Sequence, residues 1–145
     1  MKNLKKVIFI ISISLFIVSC SSNDSNTLGC ETCSYTIAAN ETAGTVATSL
    51  NGTHETTFSS FNTASPVTDG TKASFTIANN ELSVEIEGEA CITLKNPIQT
   101  SASEVVFKDD CRDNLAYAVS TNQTGDLNEV NLLTLNNTFY GQFKK

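Results

Sequence analysis

The stretch TKASFTIANNELSVEIEGE, residues 71–89, decides the fold class of this chain. On both sides of Asn79-Asn80, apolar residues alternate with polar ones, which is the period of a strand with one dry and one wet face. Asparagine tolerates positive φ, so the pair suits a two-residue type I′ turn. The stretch predicts a β-hairpin. The side chains expected to face the core are Phe75, Ile77, Leu82, Val84 and Ile86, and those expected to face water are Glu85 and Glu87.

Short segments separated by turn residues continue on both sides of this hairpin. A second hairpin is predicted around Asn136-Asn137, between 130–135 and 138–143. The other candidate strands are 34–38, 45–50, 55–61, 90–94 and 115–121. About eight or nine short strands predict an all-β fold, either a small antiparallel β-sandwich or a barrel.

Two segments also fit a helix, so one short helix stays open as an alternative. Within 103–119, Phe107, Cys111 and Leu115 are four residues apart and would share one helix face. The segment 126–129, Asp-Leu-Asn-Glu, has the spacing of a helix N-terminal capping box.

The first twenty residues have the order of an export signal. Basic residues at positions 2, 5 and 6 precede an apolar run from Val7 to Val18, and the small residue Ser19 follows. Twelve residues of helix span about 18 Å, which is short of the roughly 30 Å hydrocarbon core. A secretory signal is therefore favoured over a membrane-spanning helix.

The end of this signal, Ile17-Val18-Ser19-Cys20 followed by Ser21, resembles the lipobox of bacterial lipoproteins. An ordinary signal peptide with a chance cysteine is the alternative. The resemblance implies cleavage before Cys20, a diacylglyceryl thioether on its thiol and an acyl chain such as palmitate on its amine. Two or three chains anchor a protein stably, whereas one chain holds it only marginally. The partner implied is a bacterial membrane in the cell envelope, with the outer membrane favoured and the leaflet left open.

This resemblance divides the chain into three parts: a signal peptide at 1–19, the lipidated cysteine with a polar, flexible tether at 20–29, and a single β-rich domain at 30–145. Cleavage would remove three of the nine basic residues and none of the fifteen acids, which leaves a net charge of −9. Phosphate neutralisation needs clustered Lys and Arg, so we expect no nucleic-acid partner. Nothing in the sequence indicates a cofactor.

Four cysteines remain besides Cys20, and an even number in an exported chain favours disulfides. We expect Cys91 to pair with Cys111 and Cys30 to pair with Cys33, although the spacing alone does not fix the pairing. The spacing of Cys30 and Cys33 also fits a redox dithiol. That chemistry favours a helix N-terminus, whereas a strand is predicted to follow here. A zinc site would need a second closely spaced ligand pair, which is missing.

The remaining candidates for chemistry are weak. The cluster Asp109-Asp110-Cys111-Arg112-Asp113 is acidic enough for Ca²⁺ but lacks the ligand spacing of a calcium loop, so we expect a solvated turn. His54, the single histidine, has no nucleophile motif beside it. Glu85 and Glu87 are what the wet face of a strand contains, so paired-carboxylate catalysis is not favoured.

The sequence therefore predicts no catalytic residues and no enzyme. The favoured function is a membrane-anchored binding or accessory module for a ligand or a partner protein. The alternatives are a structural or inhibitor surface protein without a ligand pocket and, less favoured, a small enzyme. A cavity enclosed by an apolar interior would favour ligand binding, and a filled interior would favour protein contact.

Overall fold

A computed structural model describes residues 29–145. The expected signal peptide, the lipidation site Cys20 and all but the last residue of the tether lie outside the described residues. Within 29–145, no helix is long and apolar enough to cross a membrane.

The described chain is all-β, as predicted, and forms one strongly curled sheet with the shape of a half-barrel. It contains ten strands, slightly more than expected, in the order β1-β5-β4-β3-β2-β10-β9-β8-β7-β6. All neighbours are antiparallel except β1 and β5, which are parallel. The strands are β1 Glu31–Ser34, β2 Gly52–Ser60, β3 Lys72–Ala78, β4 Glu81–Ile86, β5 Ile92–Lys95, β6 Ile98–Ser101, β7 Glu104–Asp109, β8 Leu115–Thr121, β9 Leu127–Thr134 and β10 Phe139–Lys144.

The hairpin predicted from the opening stretch is confirmed in register and in faces. Ala78 lies opposite Glu81, so the turn consists of Asn79 and Asn80, both with positive φ (54° and 63°) as a type I′ turn requires. The five apolar side chains predicted to face the core are buried, and the two glutamates are exposed. A slip of one residue would reverse these faces, which is why the pattern determines the register.

Several boundaries predicted from the sequence are wrong. The segments predicted as strands at 34–38 and 45–50 are not strands, apart from Ser34 at the end of β1. The segment 103–119 is a strand, a turn and a strand rather than a helix, because each half pairs with a sheet neighbour. The capping-box segment 126–129 enters β9. A single 3-10 turn at Thr48–Leu50 is the only helical element within 29–145.

The concave face of the sheet holds a filled core. Its largest fully buried side chains are aromatic, and Phe75 contacts both Phe143 and Tyr117 edge to face at centroid distances of 5.0 and 6.3 Å. Phe58 packs against Phe143 with tilted rings, at a centroid distance of 4.7 Å. Such rings bury large apolar areas, so they stabilise the fold and fill the centre of the curled sheet.

A second, smaller apolar layer lies on the convex face. There the chain after β1 crosses β7 and β8, and Tyr35 and Ile37 pack against a cluster of buried residues, namely Ile98, Val106, Ala116 and Ala118. The crossing segment then pairs with the free edge of β6 through Ala43. Gly44 is required at that contact, because a Cβ atom there would lie 2.8 Å from the carbonyl carbon of Ile98.

All four cysteines of the domain form disulfides, but the predicted pairing is wrong. Cys30 bonds to Cys91, and Cys33 bonds to Cys111. Cys30 and Cys33 are three residues apart in extended chain, which separates their Cα atoms by about 10 Å, whereas a disulfide needs less than about 7 Å. The two bonds attach β1 to the strand beside it and to the turn after β7. The Cys33–Cys111 bond therefore connects the two edges of the curled sheet, since β1 is one edge strand and β7 lies next to the other, β6.

Candidate functional site

The candidate site is a cavity at one end of the curled sheet, which we call the pocket end. It is the end at which β4 and β9 finish and β8 and β10 begin. The cavity measures about 630 Å³, within the range of roughly 300–1,000 Å³ for small-molecule sites. Its apolar wall includes Val67, Ile86 and Leu115, and its polar mouth includes Glu89, Arg112 and Asp113. The other lining residues are Ala64, Pro66, Asn114, Tyr117, Thr134, Leu135, Asn136 and Tyr140.

Tyr117 contributes a phenol hydroxyl to the lining of this cavity. Its side chain is only 1% exposed, yet its hydroxyl has no hydrogen-bond partner among residues 29–145. The hydroxyl oxygen is not sealed off, because the one buried side-chain polar atom without a partner within 29–145 is Nδ1 of His54. The phenol oxygen therefore reaches the space of the cavity, where water or a ligand can bond to it. Burial raises the pKa of Tyr117 above its ordinary value, and the nearby carboxylates of Asp109 and Asp113 raise it further. The phenol therefore stays protonated and is free to donate a hydrogen bond to a ligand.

Asp109 builds the turn that forms one side of the mouth. Its carboxylate is fully buried and accepts hydrogen bonds from the backbone N–H groups of Cys111, Arg112 and Asp113 at 3.2, 2.9 and 3.2 Å. These three bonds compensate the burial of the charge. They also occupy the oxygens that a calcium ion would need, so the expected solvated turn is a turn organised by one buried carboxylate.

Arg112 fixes the position of this turn against the loop between β4 and β5. Its Nε donates to Asp113 at 2.8 Å, and one terminal nitrogen donates to the carbonyl oxygen of Ala90 at 2.8 Å. The guanidinium charge is thus balanced at the mouth, while Glu89 is exposed and belongs to no ion pair within 29–145. The mouth is therefore acidic overall.

One cluster of metal-ligating residue types lies where this turn contacts β1. Ligand atoms of Cys33, Asp109 and Cys111 lie within 4.8 Å of one another. The two sulfurs are bonded to each other and the carboxylate is held by backbone amides, so the cluster offers no thiolate and no free oxygen pair. Both sulfurs belong to the Cys33–Cys111 disulfide, which is not one of the expected pairs, and neither is available as a redox thiol or as a zinc ligand.

The other residues considered from the sequence lie away from the cavity. His54 lies in β2, half-buried, with its Nε2 donating to the carbonyl oxygen of Leu50 at 2.8 Å. Glu85, in β4, and Glu87, just after β4, border an open acidic groove together with Glu55 and Lys72. The structure brings none of these groups together with the phenol of Tyr117 in one site.

Sequence reasoning missed the cavity because its residues come from five separate segments. The run Leu115-Ala-Tyr-Ala-Val119 indicates only a buried strand, and nothing in it shows that the hydroxyl of Tyr117 would lack a partner. Comparison with known proteins adds no assignment: no family model, no curated protein and no solved structure matches this chain.

Proposed function

We propose that this chain is an exported, lipid-anchored binding module that takes a small molecule into the cavity at the pocket end. Cys20 carries the anchor, and the β domain carries the site. The sequence supports the anchor through the lipobox resemblance at Ile17–Cys20. The observation that supports the binding role is a single one: the unpartnered phenol of Tyr117 inside a cavity of ligand size.

The cavity chemistry defines the ligand class. Apolar walls favour a compact hydrocarbon or aromatic portion, and the phenol favours one group that accepts a hydrogen bond. The acidic mouth disfavours an anion, because Glu89, which belongs to no ion pair within 29–145, repels a like charge. The best fit is a neutral or cationic small molecule with one apolar face.

The filled interior leaves no room for a ligand along the core, as the alternative of a domain without a ligand pocket would expect, but the cavity at the pocket end stays open. Five aromatic rings occupy the centre of the curled sheet, namely Phe58, Phe75, Phe107, Tyr117 and Phe143. A ligand therefore has room at the end of the core and not along its length. We propose no enzymatic step, because within 29–145 the cavity contains no pairing of a nucleophile with a base.

A fluorescence titration tests the binding role. The probe is N-phenyl-1-naphthylamine, a neutral apolar fluorophore, and the protein is an exported form with Cys20 replaced by alanine so that no membrane is present. Ala64 lines the cavity, and Ala64→Phe should fill part of it and weaken probe binding about tenfold or more, the effect of losing about 1.4 kcal/mol. Ala78→Phe, at an exposed position of β3, is the matched control and should bind as the parent does. Equal binding by the two variants would contradict the proposal.

A further inference from the structure

An exposed aromatic pair lies at the pocket end. Phe61 is 64% exposed and Phe139 is 40% exposed, and they are the large apolar side chains that residues 29–145 leave most open to water. Their ring centroids are 5.7 Å apart. The backbone holds the pair in place, since Phe61 N–H donates to the carbonyl oxygen of Tyr140 at 2.9 Å. We call these two side chains the aromatic patch.

The chain also enters the domain at the pocket end. Strand β4 runs toward the cavity and finishes there at Ile86. Strand β5 is antiparallel to β4 and so begins at that end, and β1 is parallel to β5 and begins there too. Cys30, just before β1, is bonded to Cys91, just before β5. The connection toward Cys20 therefore leaves from the same end that carries the aromatic patch.

The length of that connection limits how the domain can be oriented. Ten residue steps join Cys20 to Cys30, and fully extended they span at most about 36 Å. A domain of this size is roughly 35 Å across. The opposite end would reach the bilayer only on a fully extended connection, whereas the pocket end reaches it at any extension.

We propose that the aromatic patch rests in the interface of the bilayer that holds the Cys20 acyl chains, with the cavity mouth beside it. Aromatic side chains at the edge of a surface-bound protein insert into the boundary between headgroups and acyl chains. The acidic residues at the pocket end, including Glu87, Glu89 and Asp110, disfavour anionic lipid, so the matching surface is zwitterionic. This inference rests on the anchored location within the proposed function and does not depend on the ligand.

The sequence contains no tryptophan, so a single introduced tryptophan reports fluorescence from one chosen position. The full lipidated chain carrying Phe61→Trp or Phe139→Trp is reconstituted into phosphatidylcholine vesicles containing dibrominated phosphatidylcholine, which quenches tryptophan inside the acyl region. Each of these reporters keeps an aromatic side chain in the patch. The matched control is Gln123→Trp, in the exposed turn between β8 and β9 at the opposite end.

The two patch reporters should lose at least about half of their fluorescence, and the control should lose little, since insertion reaches only about 5–10 Å into the boundary. If the protein floats with the vesicles but the patch and control reporters are quenched equally, the aromatic patch does not contact the bilayer, while the anchor still stands. A protein that does not float with the vesicles would overturn the anchor as well as the patch. Loss of probe binding in the cavity titration affects neither of these results.

Discussion

The two disulfides should be energetically coupled, because both attach the same short strand to the sheet. With the Cys30–Cys91 bond intact, the ring closed by Cys33–Cys111 passes through the three residues from 30 to 33 and the twenty residues from 91 to 111. A ring of about 23 residues corresponds to roughly 3.4 kcal/mol of chain entropy. Without the first bond, the second closes 78 residues and corresponds to about 4.5 kcal/mol.

The perturbation is a pair of double variants, Cys33→Ala/Cys111→Ala and Cys30→Ala/Cys91→Ala, in the exported Cys20→Ala form. Each should lower the free energy of unfolding by about 3.4 kcal/mol, with a further loss in the first because the Cys33 side chain is buried. Removing all four cysteines should cost about 8 kcal/mol, more than the sum of the two ring terms. Urea unfolding of the three variants and the parent measures these differences.

Counting free thiols in the denatured, unreduced protein distinguishes the disulfide pairing of the structure from the pairing expected from the sequence. With the pairing that the structure shows, each double variant keeps one disulfide and has no free thiol. Under the pairing expected from the sequence, Cys33→Ala/Cys111→Ala would break both bonds and leave two thiols per chain. Two thiols per chain in Cys33→Ala/Cys111→Ala would contradict the Cys33–Cys111 bond between the two edges of the sheet. A decrease of less than about 1 kcal/mol in the free energy of unfolding of that variant would contradict it too.

Three further predictions follow from single residues. Val84→Ala should lower the free energy of unfolding by about 1.5–3 kcal/mol because two buried methyl groups are lost, whereas Glu85→Ala should change it by less than about 0.5 kcal/mol; a larger loss in the second variant would reverse the assigned faces. Lys108 donates to Glu41 and lowers the pKa of that carboxyl to about 2, so the stabilisation is present above about pH 4.5 and is lost as pH falls toward 2. Chemical unfolding at pH 5 and pH 2 should show a smaller acid-dependent loss in Glu41→Gln than in the parent, and equal losses would contradict this. Metabolic labelling with a fatty-acid probe should mark the parent and leave Cys20→Ala unlabelled, so equal label on both would exclude lipidation at that residue.

The parts of the fold that the sequence predicts well are local. The hairpin of β3 and β4 follows from period-two alternation and an asparagine turn, and both signals lie within twenty residues. The same alternation places Val84 inside and Glu85 outside. Strand β8 matches its predicted bounds of 115–121 because a continuous apolar run between turns favours a buried strand.

The parts that the sequence does not predict depend on contacts between distant segments. The segment after β1 has strand-like composition, but it crosses the convex face because Tyr35 and Ile37 have an apolar layer to cover there. The correct partner of Cys33 follows from the curl of the sheet, which brings the turn after β7 to β1. The cavity depends on the same curl, so the residues around Tyr117 in the sequence do not indicate that its hydroxyl lines a cavity.

The central claim is that a small molecule enters the cavity at the pocket end, and the tyrosines allow the most direct measurement of it. The chain has three tyrosines: Tyr117 and Tyr140 line the cavity, and Tyr35 packs on the convex face. Ring resonances of selectively ¹³C-labelled tyrosine are followed by NMR while N-phenyl-1-naphthylamine is added to the exported Cys20→Ala form. The account predicts saturable shifts at Tyr117 and Tyr140 with one probe per chain and no shift at Tyr35. Shifts confined to Tyr35, or no saturable shift at Tyr117, would contradict it.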